Sequence, residues 1–275
     1  MSVERLWVTT DDGVRLAYWV AGNGPHNLLL MHGWAGSANS WNAFVSALDL
    51  NRFRAIAFDV RGQGDSDKVE FGYTDERFAR DALAIADAAG ARTFTAVGFS
   101  MGGRFVQYLP LVSPKRVAAM VIIAGGPASG IVLPEPLIAE WVGWTGNRER
   151  FREGLTPFLT RKRDPGVLDE FVDDAVKASR HSLEATLRMC LGSFQEELKR
   201  ASPTVPTLVV AGKMDALLGP EVQKAIAAQY SGEVIELDCG HEILVEMPTE
   251  AAQSVAEFIV RRADGAKLRP KSVSL

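Results

Sequence analysis

Gly98-Phe99-Ser100-Met101-Gly102 decides the reading of this chain. An apolar run with strand character, residues 94–98, leads into it, and the helical stretch 101–111 leads out. A tight strand-to-helix turn lifts a serine hydroxyl clear of the sheet, and small residues two positions to either side avoid a clash. The first N–H groups of the helix then lie where negative charge develops on an attacked carbonyl. In a chain with 25 glycines the pentapeptide alone carries little weight, so the flanking strand and helix give it force.

The rest of the chain repeats that alternation. Residues 6–10 and 14–20 read as strands around Asp11-Asp12-Gly13, a hairpin signal. Continuous apolar runs at 28–31, 54–58, 94–98, 117–124 and 207–211 suit parallel strands buried on both faces, and 233–237 adds a last strand. Helical patterns at 40–48, 74–89, 101–111, 220–230 and 249–262 lie between them. The expectation is an α/β fold, a mostly parallel eight-stranded sheet with helices on both faces. Residues 127–200 break the rhythm with no strand. Trp141, Trp144, Phe151, Phe158, Phe171 and Phe194 are spread through them, with Pro134, Pro136, Pro157 and Pro165 at turns. A connection that long predicts an inserted helical cap. The core is then 1–126 and 201–262, and 263–275 is a tail expected to fray.

Composition excludes several classes. With 47% hydrophobic and 23% charged residues the 275-residue chain is neither disordered nor a coiled coil. A net charge of −4 without a basic stripe argues against a nucleic-acid partner. Two cysteines, Cys190 and Cys239, are too few for a disulfide framework and fit a reducing compartment as packed thiols. The first ten residues lack a signal-peptide apolar region, and no apolar run is long enough to span a bilayer. A soluble cytoplasmic protein without a membrane partner is expected.

A serine needs a base and an orienting acid to become a nucleophile. Of the four histidines, His26, His32, His181 and His241, the last follows the final strand in Asp238-Cys239-Gly240-His241. Asp215, in Gly212-Lys213-Met214-Asp215, lies beyond the strand at 207–211. The order Ser100, Asp215, His241 places all three at strand ends on one sheet edge, where open α/β folds bind ligands. Met31-His32-Gly33-Trp34 follows the third strand, so the backbone N–H groups of Trp34 and Met101 are the expected oxyanion hole. His32 reads as a structural histidine of that loop. Arg104, one turn past Ser100, reads as half of an ion pair, and His181 as a solvated cap residue. His241-Glu242-Ile243-Leu244-Val245 starts like a zinc motif but ends in valine, and Gly62-Gln63-Gly64 lacks the third glycine of a dinucleotide loop. Neither a metal nor another cofactor is expected.

These blocks together resemble the α/β-hydrolase-fold serine hydrolases with a cap. The resemblance rests on His32-Gly33-Trp34-Ala35-Gly36-Ser37, Asp59-Val60-Arg61-Gly62-Gln63-Gly64-Asp65-Ser66, residues 98–103, residues 212–215, and Gly240-His241 with Glu246 and Pro248. The Asp59 to Ser66 block implies a turn-rich loop without a catalytic part. Ser100 departs from the haloalkane dehalogenases and epoxide hydrolases of that family, which carry aspartate there. The absence of a His-Gly-Gly-Gly run departs from many lipases. What the resemblance implies is a serine esterase or lactonase acting on carboxylic ester bonds, with Ser100, Asp215 and His241 as its triad. Trp34, Trp141 and Trp144 would give a small, largely apolar pocket for an ester or lactone, while the spacing of the last two on one helical face equally fits residues that only anchor the cap. Two other readings share the scaffold: a carbon–carbon bond hydrolase of a ring-fission diketone, and a small-ligand receptor with little turnover. An apolar cap surface also leaves room for a homodimer.

Overall fold

The computed structural model describes residues 3–158 and 168–267. One sheet holds β1 (Leu6–Thr9), β2 (Arg15–Ala21), β3 (His26–Met31), β4 (Phe53–Phe58), β5 (Phe94–Phe99), β6 (Val117–Ile123), β7 (Thr207–Gly212) and β8 (Glu233–Leu237). The strand order is β1-β2-β4-β3-β5-β6-β7-β8. The β1–β2 and β2–β4 pairs are antiparallel and all later pairs are parallel. From β3 the chain moves outward to β4, then returns to the other side of β3 as β5. That reversal opens a crevice at the carboxyl ends of β3 and β5, the usual ligand position in such sheets.

The helices before β6 are α1 (Asn42–Ser46), α2 (Asp75–Ala88), α3 (Met101–Val106) and α4 (Leu109–Val112). Between β6 and β7 come α5 (Glu135–Val142), α6 (Arg148–Leu155), α7 (Asp169–Ala175), α8 (Arg180–Leu191) and α9 (Gln195–Ala201), and no strand among the described residues. After β7 follow α10 (Pro220–Gln229), α11 (Ile243–Glu246) and α12 (Pro248–Lys267).

Strand side chains alternate between two cores, as a period of two requires. Leu28, Leu30, Ala55, Ala57, Val121 and Val210 face the core shared with α1 and α12. Leu29, Met31, Ile56, Phe58, Met120 and Val209 face the core shared with α2 and α3. Burial on both sides is why these strands are apolar at every position.

Three helices depart from the sequence pattern. The stretch expected as one helix over 101–111 divides into α3 and α4, because Pro110 has no N–H to return to Val106. The stretch at 40–48 begins as a 3-10 turn, Ala38–Trp41, whose start is fixed by the Ser37 hydroxyl accepting from the Asn39 N–H. Finally, α12 runs to Lys267, past the expected start of the tail at 263. Each residue added to a formed helix gains a hydrogen bond, and Ala263, Ala266 and Lys267 are good helix formers that offset Gly265. Pro165 and residues 268–275 of the expected tail lie outside the described residues.

The segment between β6 and β7 has its own apolar cluster, including Ile138, Trp141, Phe151, Val172 and Leu183, into which Ala35 of the β3 loop inserts. Trp141 and Trp144 do not share a helical face, because α5 ends at Val142 with Gly143 as its cap. A turn bond from Trp144 N–H to Trp141 carbonyl (3.1 Å) instead brings their ring centroids to 5.9 Å. Polar links seat these helices on the sheet. Asp174 of α7 accepts from the Ser37 hydroxyl at 2.5 Å and from the Asn39 amide at 2.8 Å. Ser179 N–H, ahead of α8, donates to the Gly62 carbonyl at 2.9 Å.

Candidate active site

Ser100 occupies the turn between β5 and α3 with φ 52° and ψ −113°, a region L-residues avoid at a cost of about 1–3 kcal/mol. Three backbone bonds hold it there. Its N–H donates to Ile123 carbonyl at 2.9 Å, and its carbonyl accepts from Gly126 N–H at 3.1 Å and Arg104 N–H at 3.2 Å. The flanking glycines are demanded by space: a Cβ on Gly98 would lie 2.2 Å from Gly102 carbonyl oxygen, and one on Gly102 the same distance from Met31 carbonyl oxygen. The serine is therefore pressed against the end of β3 by chain geometry alone.

His241 comes to Ser100 from the loop after β8, with Nε2 at 2.9 Å from the serine Oγ. Its Nδ1 lies 2.8 Å from Asp215 Oδ2, on the loop after β7. The other carboxylate oxygen of Asp215 accepts the N–H groups of Leu217 and Leu218, both at 2.8 Å. Asp215 therefore accepts the hydrogen bond from Nδ1–H, and Nε2 turns its lone pair to the serine. His241 is buried, which favours its neutral form, but the hydrogen bond and charge of Asp215, with the charge of Glu242, outweigh burial and raise its pKa. For Asp215 burial pushes upward, and the His241 contact with the two backbone donors holds the carboxyl below its ordinary range. The loop carrying His241 is fixed in turn by Glu246, whose carboxylate accepts Gly240 N–H at 2.9 Å.

The β3 loop faces the serine from the other side. A Cβ on Gly33 would lie 3.3 Å from the Ser100 Cβ, so the chain passes the serine closely just before Trp34. Met101 opens α3, where the first N–H groups have no intrahelical partner. Among the described residues no hydrogen bond uses the Trp34 or Met101 N–H. His32 holds this loop, donating from Nδ1 to Gly33 carbonyl at 2.7 Å and accepting Val60 N–H at Nε2 at 3.1 Å. Burial lowers its pKa against the pull of the Asp59 and Asp174 charges and the Gly33 bond. Asp59 supports the same loop by accepting Ala38 N–H at 2.6 Å and Asp65 N–H at 2.7 Å.

Above the three side chains lies a small cavity. Its wall is Trp34, Phe99, Trp141, Trp144, Leu155, Phe158 and Leu217, and Ser100, His241 and Glu242 provide its polar part. All three tryptophans singled out in the sequence thus reach it. The Trp34 indole also donates to Leu183 carbonyl at 2.9 Å, fixing that wall to α8. Glu242, in the sequence only part of a broken zinc motif, is also a cavity residue. Its signal was an acid directly beside the candidate base.

The remaining singled-out residues lie elsewhere. Arg104 is buried, paired with Asp75 at 3.1 Å, bonded to Pro127 carbonyl at 3.0 Å, and stacked over the Phe194 ring at 4.6 Å. His181 is exposed and sits against Tyr73, with ring centroids 5.4 Å apart. Burial pushes the Cys190 thiol up to about 12. Among the described residues no group of three or more His, Cys, Asp or Glu is placed to hold a metal ion, and no helix is long and apolar enough to cross a membrane.

A parallel sheet switching direction at β3 and β5, with a serine at the β5–α3 turn and a histidine after the last strand, defines the class. The family model described as alpha/beta hydrolase fold matches residues 27–248, and the chain belongs to that family. Similar proteins include a non-heme chloroperoxidase from Streptomyces lividans, 28% identical over 250 residues, covering 83% of this chain and 87% of that one. Another is the 2-hydroxy-6-oxo-6-(2'-aminophenyl)hexa-2,4-dienoic acid hydrolase of Metapseudomonas resinovorans, 29% identical over 274 residues, covering 92% and 90%. Among solved structures, a hydrolase from Pseudomonas aeruginosa PA01 superimposes with a TM-score of 0.81 at 25% identity, covering 93% of this chain and 98% of that one.

Proposed function

We propose that this hydrolase cleaves a small, largely apolar carboxylic ester or lactone through an acyl-enzyme. The observation that carries the reading is the chain of contacts from Ser100 Oγ through His241 to Asp215, 2.9 and 2.8 Å, under an aromatic cavity. Ser100 attacks the carbonyl carbon while His241 Nε2 takes the hydroxyl proton. The N–H groups of Trp34 and Met101 receive the oxyanion, and Asp215 stabilises the imidazolium. His241 then gives its proton to the departing alkoxide, and the same sequence with water in place of serine releases the acid. Fluorophosphonate labelling tests the nucleophile: the wild type is labelled, Ser100→Ala is not, and equal labelling of the two overturns the assignment.

Carbon–carbon hydrolysis of a ring-fission diketone is the second reading, supported by the similarity to the dienoic acid hydrolase. The same serine and histidine serve it, with a carbanion equivalent rather than an alkoxide leaving. A panel of short esters, lactones and vinylogous diketones separates the two by kcat/KM. Failure to turn over any of them favours a receptor on this scaffold.

A further inference from the structure

Glu242 follows His241 in the chain, is only 5% exposed, and lines the cavity beside Ser100. Among the described residues no donor meets its carboxyl. Glu246, four residues on and equally enclosed at 6% exposure, takes the Gly240 N–H. A buried acid with a purely structural role has a partner of this kind, whereas the Glu242 oxygens have no partner among the described residues and yet are not among the fully enclosed unpartnered atoms. Every other residue of the cavity wall besides Ser100 and His241 is apolar or aromatic.

We infer that Glu242 is a specificity-determining residue whose carboxyl hydrogen-bonds a second oxygen of the substrate, a ketone, ether or hydroxyl oxygen set apart from the scissile carbonyl. The assignment rests on Ser100 and His241 acting as proposed above. The scissile oxygen itself is directed to the Trp34 and Met101 N–H groups, so a different oxygen must reach Glu242. Burial raises the Glu242 pKa; His241 draws it down, while Asp215 and Glu246 raise it further. That direction shifts the acid toward its neutral form relative to an ordinary glutamate, and the neutral form donates a hydrogen bond and does not repel an oxyanion forming nearby. A plain alkyl ester leaves that O–H unmet, so the site discriminates by a polar group it must satisfy.

The test compares p-nitrophenyl pentanoate with its 4-oxo analogue, and p-nitrophenyl butanoate with methoxyacetate, in wild type, Glu242→Gln and Glu242→Leu. Taking each oxygenated-to-alkyl ratio of kcat/KM relative to wild type cancels intrinsic ester reactivity. The ratio for at least one pair is expected to fall about tenfold or more in Glu242→Leu and to stay within about threefold in Glu242→Gln, which keeps a neutral donor. Unchanged ratios in Glu242→Leu overturn the inference, as they would if the residue acted only through His241. Equal losses in both variants also overturn it, since the neutral amide donor would then fail to replace the carboxyl. Should Glu242→Leu not fold, Glu242→Met takes its place. A binding arm keeps the two readings apart: quenching of the cavity tryptophans by methyl 4-oxopentanoate and methyl pentanoate, in Ser100→Ala with and without the Glu242 change. Lost preference there without any wild-type ester turnover removes the ester reading and leaves Glu242 its role.

Discussion

Replacing Asp215 by asparagine tests the electrostatic logic of the site at one atom. The Oδ1 position accepts two N–H groups, from Leu217 and Leu218 at 2.8 Å each, and Oδ2 accepts His241 Nδ1–H. An asparagine has one acceptor and one donor end. Oriented with its oxygen toward the backbone donors, it presents NH₂ to Nδ1, which must then become the acceptor. The imidazole proton moves to Nε2, and the lone pair facing Ser100 is gone. The reverse orientation restores the tautomer but sets NH₂ against two N–H groups, each left unmet at about 1–3 kcal/mol. The productive arrangement therefore lies roughly 2–6 kcal/mol above the unproductive one. At about 1.4 kcal/mol per decade, kcat/KM falls by about 30-fold to about 10⁴-fold.

The assay is kcat/KM for a p-nitrophenyl ester across pH, with the thermal midpoint measured alongside. In the wild type the base must be neutral, and its pKa is held above the usual 6.5, so activity is lost as pH falls through a value above 6.5. In Asp215→Asn the hydrogen bond and charge that raise the pKa are removed while burial remains, so any residual activity has its acid limb at lower pH. Retained backbone bonds keep the midpoint close to wild type. A loss below tenfold, or an acid limb that does not move, refutes the reasoning.

Two further substitutions test how the site is held. Gly102→Ala puts a Cβ about 2.2 Å from the Met31 carbonyl oxygen, backbone that cannot swing aside, so α3 must leave β3. A fall of at least about 3 kcal/mol in chemical-denaturation stability, or no folded protein, is expected, and a change under 1 kcal/mol counts against the close approach. Asp174→Ala leaves the buried Ser37 hydroxyl and the Asn39 amide without their acceptor, which costs about 1–3 kcal/mol and frees α7 from the β3 loop. Faster proteolysis within residues 127–200 is the expected readout, and unchanged cleavage rates contradict the link.

Where the sequence was legible, a local rule determined the outcome. Strand runs such as Leu28-Leu29-Leu30-Met31 are apolar throughout because both faces are covered, and that needs no knowledge of the partners. Ser100, Asp215 and His241 were readable because each ends or follows a strand in a fixed order, and the sheet then brings them together. Trp144 was misplaced because its position depends on where α5 stops, which Gly143 decides and a three-residue spacing does not reveal. The division of the helix over 101–111 is written in Pro110. Glu242 was missed for a different reason. Its meaning depends on what surrounds it in space, residues as distant in sequence as Trp34, Trp141 and Leu217.

The same contrast bears on why relatives of similar length and comparable identity carry different reaction names. Each loop at the carboxyl edge of the sheet is held by a buried polar group with little freedom: His32 and Asp59 for the β3 loop, Asp215 for the turn at Leu217, Glu246 for the strand of chain at Gly240. Changing any of them leaves an unmet donor or acceptor in the interior, so Ser100, His241 and the β3 loop move as one constraint. Beyond the Trp34 indole bond to Leu183 and the bond from His241 N–H to the Phe158 carbonyl, the side chains of the cavity wall have no such lock among the described residues. Trp141, Trp144, Leu155 and Phe158 come from the insertion between β6 and β7 and meet the site through apolar surfaces that tolerate exchange at similar volume. On the proposed reading, reaction type is set on the sheet edge, while the shape of what enters is set on the insertion. Glu242 is an exception to that division: it belongs to the sheet-edge chain but faces the substrate space, so it couples the choice of substrate to the loop that carries the base.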